Sequence, residues 1–394
     1  MYGEWMSPLV FAEMDPELAR ITLSAMPVTQ VARLIAELES DDALGLIIHL
    51  DEDLQHQIIR KLSAKMRVAV QEGLNFPEES AGRLMQREFV AVPQFWTVGK
   101  TVDYLREAAD DLPEDFFDIF VISPAYQVEG QIPLNRLVRA RRSDKIEILT
   151  DEKPQTIPAD MDQEEVAHIF RRDNIASAPV VDTNGRLIGV ITIDDVVDVI
   201  DEEAQEDILR LAGVDDGDLY RALWSTTGTR FRWLFINMLT ALLASWVISF
   251  FGTTIEKIIA LAVLMPIVAS MGGNAGTQTV TVATRALATR QLSSANVFGF
   301  LWKETLMGVL NGAAFAVVMG VCAGLWFHNA LLGVVIGAAM IINLFVAGFF
   351  GVCIPVLLHR MGSDPAVSST VFLTTVTDVV GFLAFLGLAY LLLI

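Results

Sequence analysis

The chain has 394 residues, with 28 Lys+Arg against 48 Asp+Glu and a formal net charge of −20. Such acidity argues against a nucleic-acid partner, which needs a basic surface to displace counterions, and favours a cation. Yet 53% of the residues are hydrophobic and the mean hydropathy is +0.47, so the charge must be segregated. Residues 1–232 hold 44 acids and 23 bases, whereas residues 233–394 hold four acids and five bases. An acidic water-soluble half thus precedes an apolar half, and the length prior of roughly 150 residues per domain gives two or three units. The two cysteines, Cys322 and Cys353, supply neither a disulfide framework nor a zinc motif. The opening stretch MYGEWMSPLVFAEMD has no basic region followed by a clean apolar run, so no cleavable signal is expected.

Residues 1–80 read as an all-α superhelix. Leu, Ile and Ala recur at three- and four-residue spacing in Pro16–Ala25, Val28–Leu38, Asp41–Leu50, Leu54–Leu62 and Ala64–Glu72. Pieces of similar length suggest stacked short helices, although a generic helical adaptor has the same pattern.

From residue 81 the pattern changes to α/β. SAPVVDTNGRLIGVITIDDVVDVI reads as strand, Asn184-Gly185 turn, strand and helix, with Thr192 as a helix cap. The amphipathic DMDQEEVAHIFRRDNI precedes it. This helix–strand–strand–helix unit resembles a CBS module, and a weaker copy lies in TVGKTVDYLREAADDLPEDFFDIFVISPAYQVEGQIPLNRLV. The copies are assigned to residues 81–145 and 146–200. CBS pairs often bind adenine nucleotides through Ser/Thr-x-x-Asp, which stands here as Thr192-x-x-Asp195. The first copy departs from it with Pro133-x-x-Arg136. The resemblance thus implies ATP or another adenine nucleotide at Thr192 and Asp195, while the motif reads equally as a helix cap.

An acidic connecting helix is expected over 201–232, and the acid run itself begins earlier. Between Asp194 and Leu219 stand Asp194, Asp195, Asp198, Asp201, Glu202, Glu203, Glu206, Asp207, Asp215, Asp216 and Asp218, against the single base Arg210. Like charges three and four apart destabilise an isolated helix by ~0.2–0.5 kcal/mol each. A charge run is usually a solvated face, but this one leads directly to a membrane span. Bridging divalent ions would relieve the repulsion, and Mg²⁺ prefers oxygen ligands.

Residues 233–394 contain five apolar runs long enough to cross a membrane: Trp233 to about Thr253, Ile258 to Ala288, Val297 to Phe327, Ala330 to Leu358, and Ala366 to Ile394. Arg230, Arg232, Arg285, Arg290, Lys303, His359 and Arg360 fall on one side if the acidic half is cytoplasmic. A multi-pass membrane protein follows, with its acidic half cytoplasmic and its C-terminus outside. Asp378 is read as the one acid deep in a span, about 18 Å from Ala366 at ~1.5 Å per residue. Thr370, Thr374 and Asp378, with Thr377 and Gly381 beside them, share a helical face. The second span carries a matching stripe of Asn274, Thr277, Gln278, Thr281 and Arg285. Its Pro266 and Gly272-Gly273-Asn274 predict unwinding of the helix there. Helix packing is the competing reading for the threonines and glycines.

The order of parts, together with Gly272-Gly273-Asn274-Ala275-Gly276-Thr277-Gln278, Asp364-Pro365-Ala366, Asp378 and Glu79–Met85 (ESAGRLM), resembles the MgtE family of bacterial magnesium channels over essentially the whole chain. The resemblance implies a homodimer in which Asp378 of each subunit, with the Thr374 backbone carbonyl, binds hydrated Mg²⁺ in a central pore. Asp364 would face a connecting "plug" helix at the cytoplasmic mouth. Acids of the N domain, CBS pair and plug, with Asp194, Asp195, Asp198, Asp201, Glu202, Glu203, Glu206 and Asp207 among the candidates, would bind intracellular Mg²⁺ and hold the pore closed. The N domain is shorter than the family's, and Ser369-Thr370-Val371 departs from the family's last-span pattern. No enzymatic activity is expected: the histidines at 49, 56, 168, 328 and 359 include no His-Glu-x-x-His pair. A CBS-regulated transporter of another divalent cation or another solute is the alternative.

Overall fold

In the computed structural model, the described residues are 7–109, 112–113, 116–150, 154–214 and 223–394. Asp215, Asp216 and Asp218 of the acid run lie outside them. The chain divides into two compact units, residues 1–204 with 219–221 and residues 205–218 with 222–394.

The first unit begins with six short helices: α1 (Leu9–Ala12), α2 (Pro16–Ser24), α3 (Val28–Ile35), α4 (Ser40–Ile48), α5 (Glu52–Ile59) and α6 (Ala64–Gly73). Their starts are chemically marked. The Asp15 side chain accepts from the Glu17 and Leu18 amides at 3.0 and 3.1 Å, with Pro16 at the first helical position. Ser63 caps α6 in the same way. The three-to-four spacing buries Leu23, Val31, Ile35, Ile47, Ile58 and Val70 completely in one core.

Two three-stranded sheets follow, alike in construction. In the first, β1 (Ala91–Pro93) pairs parallel with β2 (Asp118–Ile122), which pairs antiparallel with β3 (Val128–Pro133). In the second, β4 (Ile157–Pro158), β5 (Ser177–Val181) and β6 (Leu187–Thr192) repeat that order. Both antiparallel pairs slip register at the same point, Val121/Ile122 and Val180/Val181. The Asn184-Gly185 turn forms as expected. Gly185 takes φ +74°, and the Asp182 carboxylate accepts from the Asn184 and Arg186 amides at 2.8 and 2.9 Å. The helices of the pair are α7 (Ala81–Leu84), α8 (Val98–Glu107), α9 (Leu134–Arg139), α10 (Ile146–Leu149) and α11 (Gln163–Asp173).

Core membership crosses the sequence order. The Ala81 and Gly82 amides donate to the Met161 and Ala159 carbonyls, and Ala81 and Met85 join the second sheet's core. Ile146 belongs instead to the first sheet's core. The segment ESAGRLM therefore leads into the second module rather than the first, and residues 146–149 complete the first. A linear boundary at 145/146 misses this because the second module closes with a segment that precedes the first, while the first runs on to residues 146–149.

The long α12 (Ile193–Leu211) leaves the second sheet and passes from the first unit into the second. Beyond it come α13 (Leu223–Ser249), the short α14 (Gly252–Lys257), α15 (Ala260–Ala288), α16 (Val297–Trp326), α17 (Ala330–Arg360) and α18 (Pro365–Leu393). Five of these are long and apolar enough to cross a membrane. α17 is the most enclosed and touches α15, α16 and α18. Its seam with α16 is built on small residues: a Cβ on Gly333 would lie 2.3 Å from the Gly320 carbonyl oxygen. Exposed Trp246, Trp302 and Trp326 stand near span ends, the positions that suit an interfacial aromatic belt.

Candidate ion pathway and acidic sites

Asn274, Thr277, Gln278, Thr281 and Arg285 are all exposed along one face of α15, while Gly272, Gly276, Thr279, Val280 and Ala283 are buried on the other. The Thr277 hydroxyl donates to the Gly273 carbonyl and that of Thr281 to the Thr277 carbonyl, both at 2.9 Å. Each hydroxyl thereby spends its only proton on the helix and keeps oxygen lone pairs for an outside donor or cation. Asn274 Nδ2 donates to Ser270 Oγ at 3.4 Å. A polar stripe of this length at membrane depth requires water, an ion or a partner against it.

On α18, Thr370, Thr374 and Asp378 are half-buried at four-residue spacing. Thr374 Oγ1 donates to the Val371 carbonyl at 3.1 Å, and the Thr374 carbonyl accepts from Thr377 Oγ1 at 3.1 Å. Thr377 itself is wholly buried and also donates to the Leu373 carbonyl. Its expected place on the pore surface is therefore corrected: one residue before Asp378 is ~100° around the helix, on the packed side.

The expected break in the second span is absent. α15 runs unbroken from Ala260 to Ala288 through Pro266 and the Gly272-Gly273-Asn274 segment. The glycines serve close packing instead: a Cβ on Gly272 would lie 2.2 Å from Asn343 Nδ2, and one on Gly276 2.5 Å from Leu373 Cδ2. Asp378 is also not the single enclosed acid. Glu304, in the second turn of α16, is 7% exposed and accepts from Thr279 Oγ1 at 3.4 Å. Its position beside Lys303, at the start of an apolar run, makes it look interfacial in sequence.

At the membrane end of α12 the candidate ligands are engaged in ion pairs. Arg210 Nη1 lies 2.7 Å from Asp364 Oδ2, and Arg210 Nη2 pairs with Glu206 Oε1. Asp364, expected to hold metal, thus meets a guanidinium. Thr370 Oγ1 donates to the Leu211 carbonyl at 3.5 Å. A cavity of about 380 Å³ adjoins these groups, lined by Arg210, Arg230, Trp233, Asn237, Thr370 and Thr374 among others.

The first unit holds a second acidic site. A cavity of about 260 Å³ is lined by Asp41 and Asp42 of α4, His49, and Asp195, Asp198 and Glu202 of α12. Burial pushes the Asp41 carboxyl well above the usual carboxylate range, and the neighbouring Asp195 and Asp42 push the same way. Burial raises Asp195 to about 6, against the hydrogen bond from Thr192 that lowers it. Glu39 is raised to about 7, by burial of its carboxyl end and then by Glu88, Asp42, Asp195 and Asp194. Asp42 and Asp198 are raised by burial and by Glu13. Burial lowers His49, and Arg83 also lines the cavity. Glu203 accepts from Gln163 Nε2 at 2.9 Å. Asp194, Asp195, Asp198, Asp201 and Glu202 therefore follow one another along α12 in this unit, with Asp201 exposed, while Glu206 and Asp207 fall in the second. Among the described residues no three acidic, histidine or cysteine side chains converge closely enough to ligate a metal directly. The cavity suits an ion that keeps its water, at ~30 Å³ per water molecule. Sequence reasoning missed Asp41, Asp42, Glu39 and Glu13. The acids of α4 look like first-turn residues complementing the helix dipole, and nothing local links them to Asp195.

In the Thr192-x-x-Asp195 motif the Thr192 amide donates to Asp195 Oδ2 at 3.4 Å. Thr192 Oγ1 contacts Asp194 Oδ1 and lies 2.9 Å from Asp195 Oδ2. The space beside it, lined by Gln86, Phe116, Asp118, Ser177 and Thr192 among others, is about 10 Å³. A larger cleft of about 790 Å³ opens by β2, β3 and α9, but there the ribose-reading positions are Pro133 and Arg136, and Arg136 Nη1 donates to the Leu149 carbonyl. The cleft and the small space beside Thr192 share Phe116, Phe117 and Asp118 in their linings.

These parts define a class: a multi-pass membrane transporter joined to acidic regulatory domains. A family model described as a divalent cation transporter matches residues 265–388, an MgtE intracellular N domain model residues 5–79, and a CBS domain model residues 146–202. The magnesium transporter MgtE of Bacillus subtilis is 30% identical over 385 residues, spanning 96% of this chain and 84% of that protein. That of Thermus thermophilus is 35% identical over 358 residues, spanning 89% and 78%. Among solved structures, the cytosolic domain of the Mg²⁺ channel MgtE in complex with ATP is 30% identical over 49% of this chain and 78% of that chain, at a TM-score of 0.47. The chain belongs to the MgtE family of magnesium transporters, with an intracellular N domain, a CBS pair and a multi-pass inner-membrane domain.

Proposed function

We propose that two copies of the chain form a Mg²⁺-selective influx channel that cytoplasmic Mg²⁺ closes. The observation that carries the reading is the half-buried Asp378 in a span, with Thr370 and Thr374 on its face and an exposed amide and hydroxyl stripe on α15. A single chain leaves that stripe uncovered, and a two-fold partner would enclose it around water. Mg²⁺ gives up its shell reluctantly, so carboxylates and oxygen acceptors that bind the hydrated ion suit it. Influx needs no energy source beyond the membrane potential. At ~2.3 kcal/mol per charge per 100 mV, a divalent cation gains about 4.6 kcal/mol.

Closure follows from the acidic cavity and the connecting helix. When Mg²⁺ is abundant it screens Asp41, Asp42, Asp195, Asp198 and Glu202, and the domains hold together. When it is scarce those acids repel and release the helix that leads to the pore. Asp194, Asp201, Glu203, Glu206 and Asp207 add to the field that draws the ion.

The test is Mg²⁺ uptake into proteoliposomes with Asp378→Ala and Asp378→Asn. Both are expected to lose uptake by at least about a hundredfold, and full retention in either would sink the site. Competition by Co²⁺ and Mn²⁺ in the same assay decides between a Mg²⁺-selective path and one for another divalent cation.

A further inference from the structure

Asn343 lies within α17 and is completely buried. Both neighbouring pore helices present a glycine to it: a Cβ on Gly272 of α15 would come within 2.2 Å of Asn343 Nδ2, and one on Gly381 of α18 within 2.7 Å. Nδ2 donates to the Val268 carbonyl of α15 at 2.8 Å. Oδ1 is buried and has no hydrogen-bond partner. An amide with one end unsatisfied is a costly way to fill space, and an apolar residue would do so better if packing were its only task. Gly381 follows Asp378 by three residues, close to one turn, and Gly272 precedes Asn274 by two. The amide thus sits among the helices that carry the candidate ion-binding groups.

We propose that Asn343 is a positioning residue. It fixes the spacing and rotation of α15 and α18 so that Asp378 and the Asn274–Thr281 stripe address the same volume. This rests on reading Asp378 as the ion site. Two glycines let the amide approach both backbones. Its donor ties it to one of them and gives the contact a defined orientation that an apolar wedge lacks.

The test uses the full-length protein in proteoliposomes, with Mg²⁺ varied and folded protein quantified by size exclusion. Asn343→Ala is expected to raise the half-saturating Mg²⁺ concentration by at least about fivefold, with a smaller change in maximal rate per folded molecule. Gly381→Ala is expected to do the same, because its methyl collides with the amide. The double variant Gly381→Ala/Asn343→Ala is expected to lose no more than the worse of the two single variants, because both changes act through the one contact. A half-saturation for Asn343→Ala below that threshold, or a double variant in which the two losses multiply, overturns the proposal. Should Asn343→Ala fail to fold, Asn343→Ser, which keeps a shorter donor, carries the same threshold. Asp378→Ala run in parallel separates the two readings: retained uptake there defeats the ion site, whereas lost uptake beside an unchanged Asn343→Ala defeats the positioning role alone.

Discussion

Arg210 is the one base in an acidic run, and its guanidinium stands between Glu206 and Asp364 where two carboxylates would otherwise face each other. A tethered cation does there what a bound divalent ion would do, without dependence on concentration. The pair is about one-third exposed on each side, so screening by water limits it to ~0.5–1 kcal/mol. That is two- to fivefold in a closing equilibrium. Arg210→Ala is expected to raise the internal Mg²⁺ needed for half-closure by roughly that factor, read from patch currents with Mg²⁺ varied on the cytoplasmic face. Asp364→Asn should shift it the same way by no more than Arg210→Ala, and the two changes together no more than Arg210→Ala alone, since Arg210→Ala removes the Glu206 pair as well as the Asp364 pair. An additive double variant would show that the groups act separately. In sequence Asp364 is placed among the metal ligands through the family resemblance of Asp364-Pro365-Ala366. Only the fold brings Arg210 to it, across 154 residues.

At the scale of elements, α4 and the start of α12 carry most of the pH sensitivity outside the membrane. Glu39 at about 7, Asp195 at about 6 and the strongly raised Asp41 all have folded values above their ordinary ones. Groups raised in this way stabilise the fold fully below the ordinary carboxylate range, and that contribution is lost as pH rises through about 6 to 7. His49 runs the other way: lowered by burial, it withdraws stability as pH falls below its ordinary value near 6.5. Without divalent ions, the melting temperature of the full-length protein is therefore expected to fall between pH 6 and pH 8. Added Mg²⁺ should restore it strongly at pH 8 and weakly at pH 6, where protons occupy the same groups. Asp41→Asn should raise the metal-free melting temperature at pH 8 and blunt the Mg²⁺ response. A Mg²⁺ response equal at both pH values would exclude this cluster as the sensor. Much of these elements was legible in sequence. Three-to-four spacing placed α2 to α6, and Asn184-Gly185 placed a hairpin turn. The cavity was not legible, because pairing α4 with α12 is a tertiary event that leaves no local pattern. The Thr192-x-x-Asp195 motif was legible only as two alternatives, and the fold adds a hydrogen bond between its two side chains.

For the whole molecule, the segregation of charge gains a physical role. A divalent ion driven inward by about 4.6 kcal/mol per 100 mV would accumulate more than a thousandfold through an unregulated pore. On the proposed function, the negative charge that sequence composition assigns to residues 1–232 would provide a feedback element on the side where the ion arrives. The membrane half must then present water-filled surface at α15 when open and withdraw it when closed. Thr277 and Thr281 are exposed on that helix, whereas Thr279, two residues from each, is buried against Glu304. In a background with Cys322 and Cys353 replaced by serine, Thr277→Cys and Thr281→Cys are expected to react with a water-soluble cationic thiol reagent and to lose Mg²⁺ uptake on reaction. Thr279→Cys should stay protected although it lies at the same depth. Raising Mg²⁺ on the cytoplasmic face should slow the reaction at 277 and 281 at least about tenfold when reagent is applied from that face, and leave it unchanged when the acids of the α4–α12 cavity are neutralised together. If 279 reacts as fast as 277, the stripe does not line an aqueous path. If cytoplasmic Mg²⁺ leaves the rates unchanged in the unmodified acidic half, the charge of that half does not close the pore.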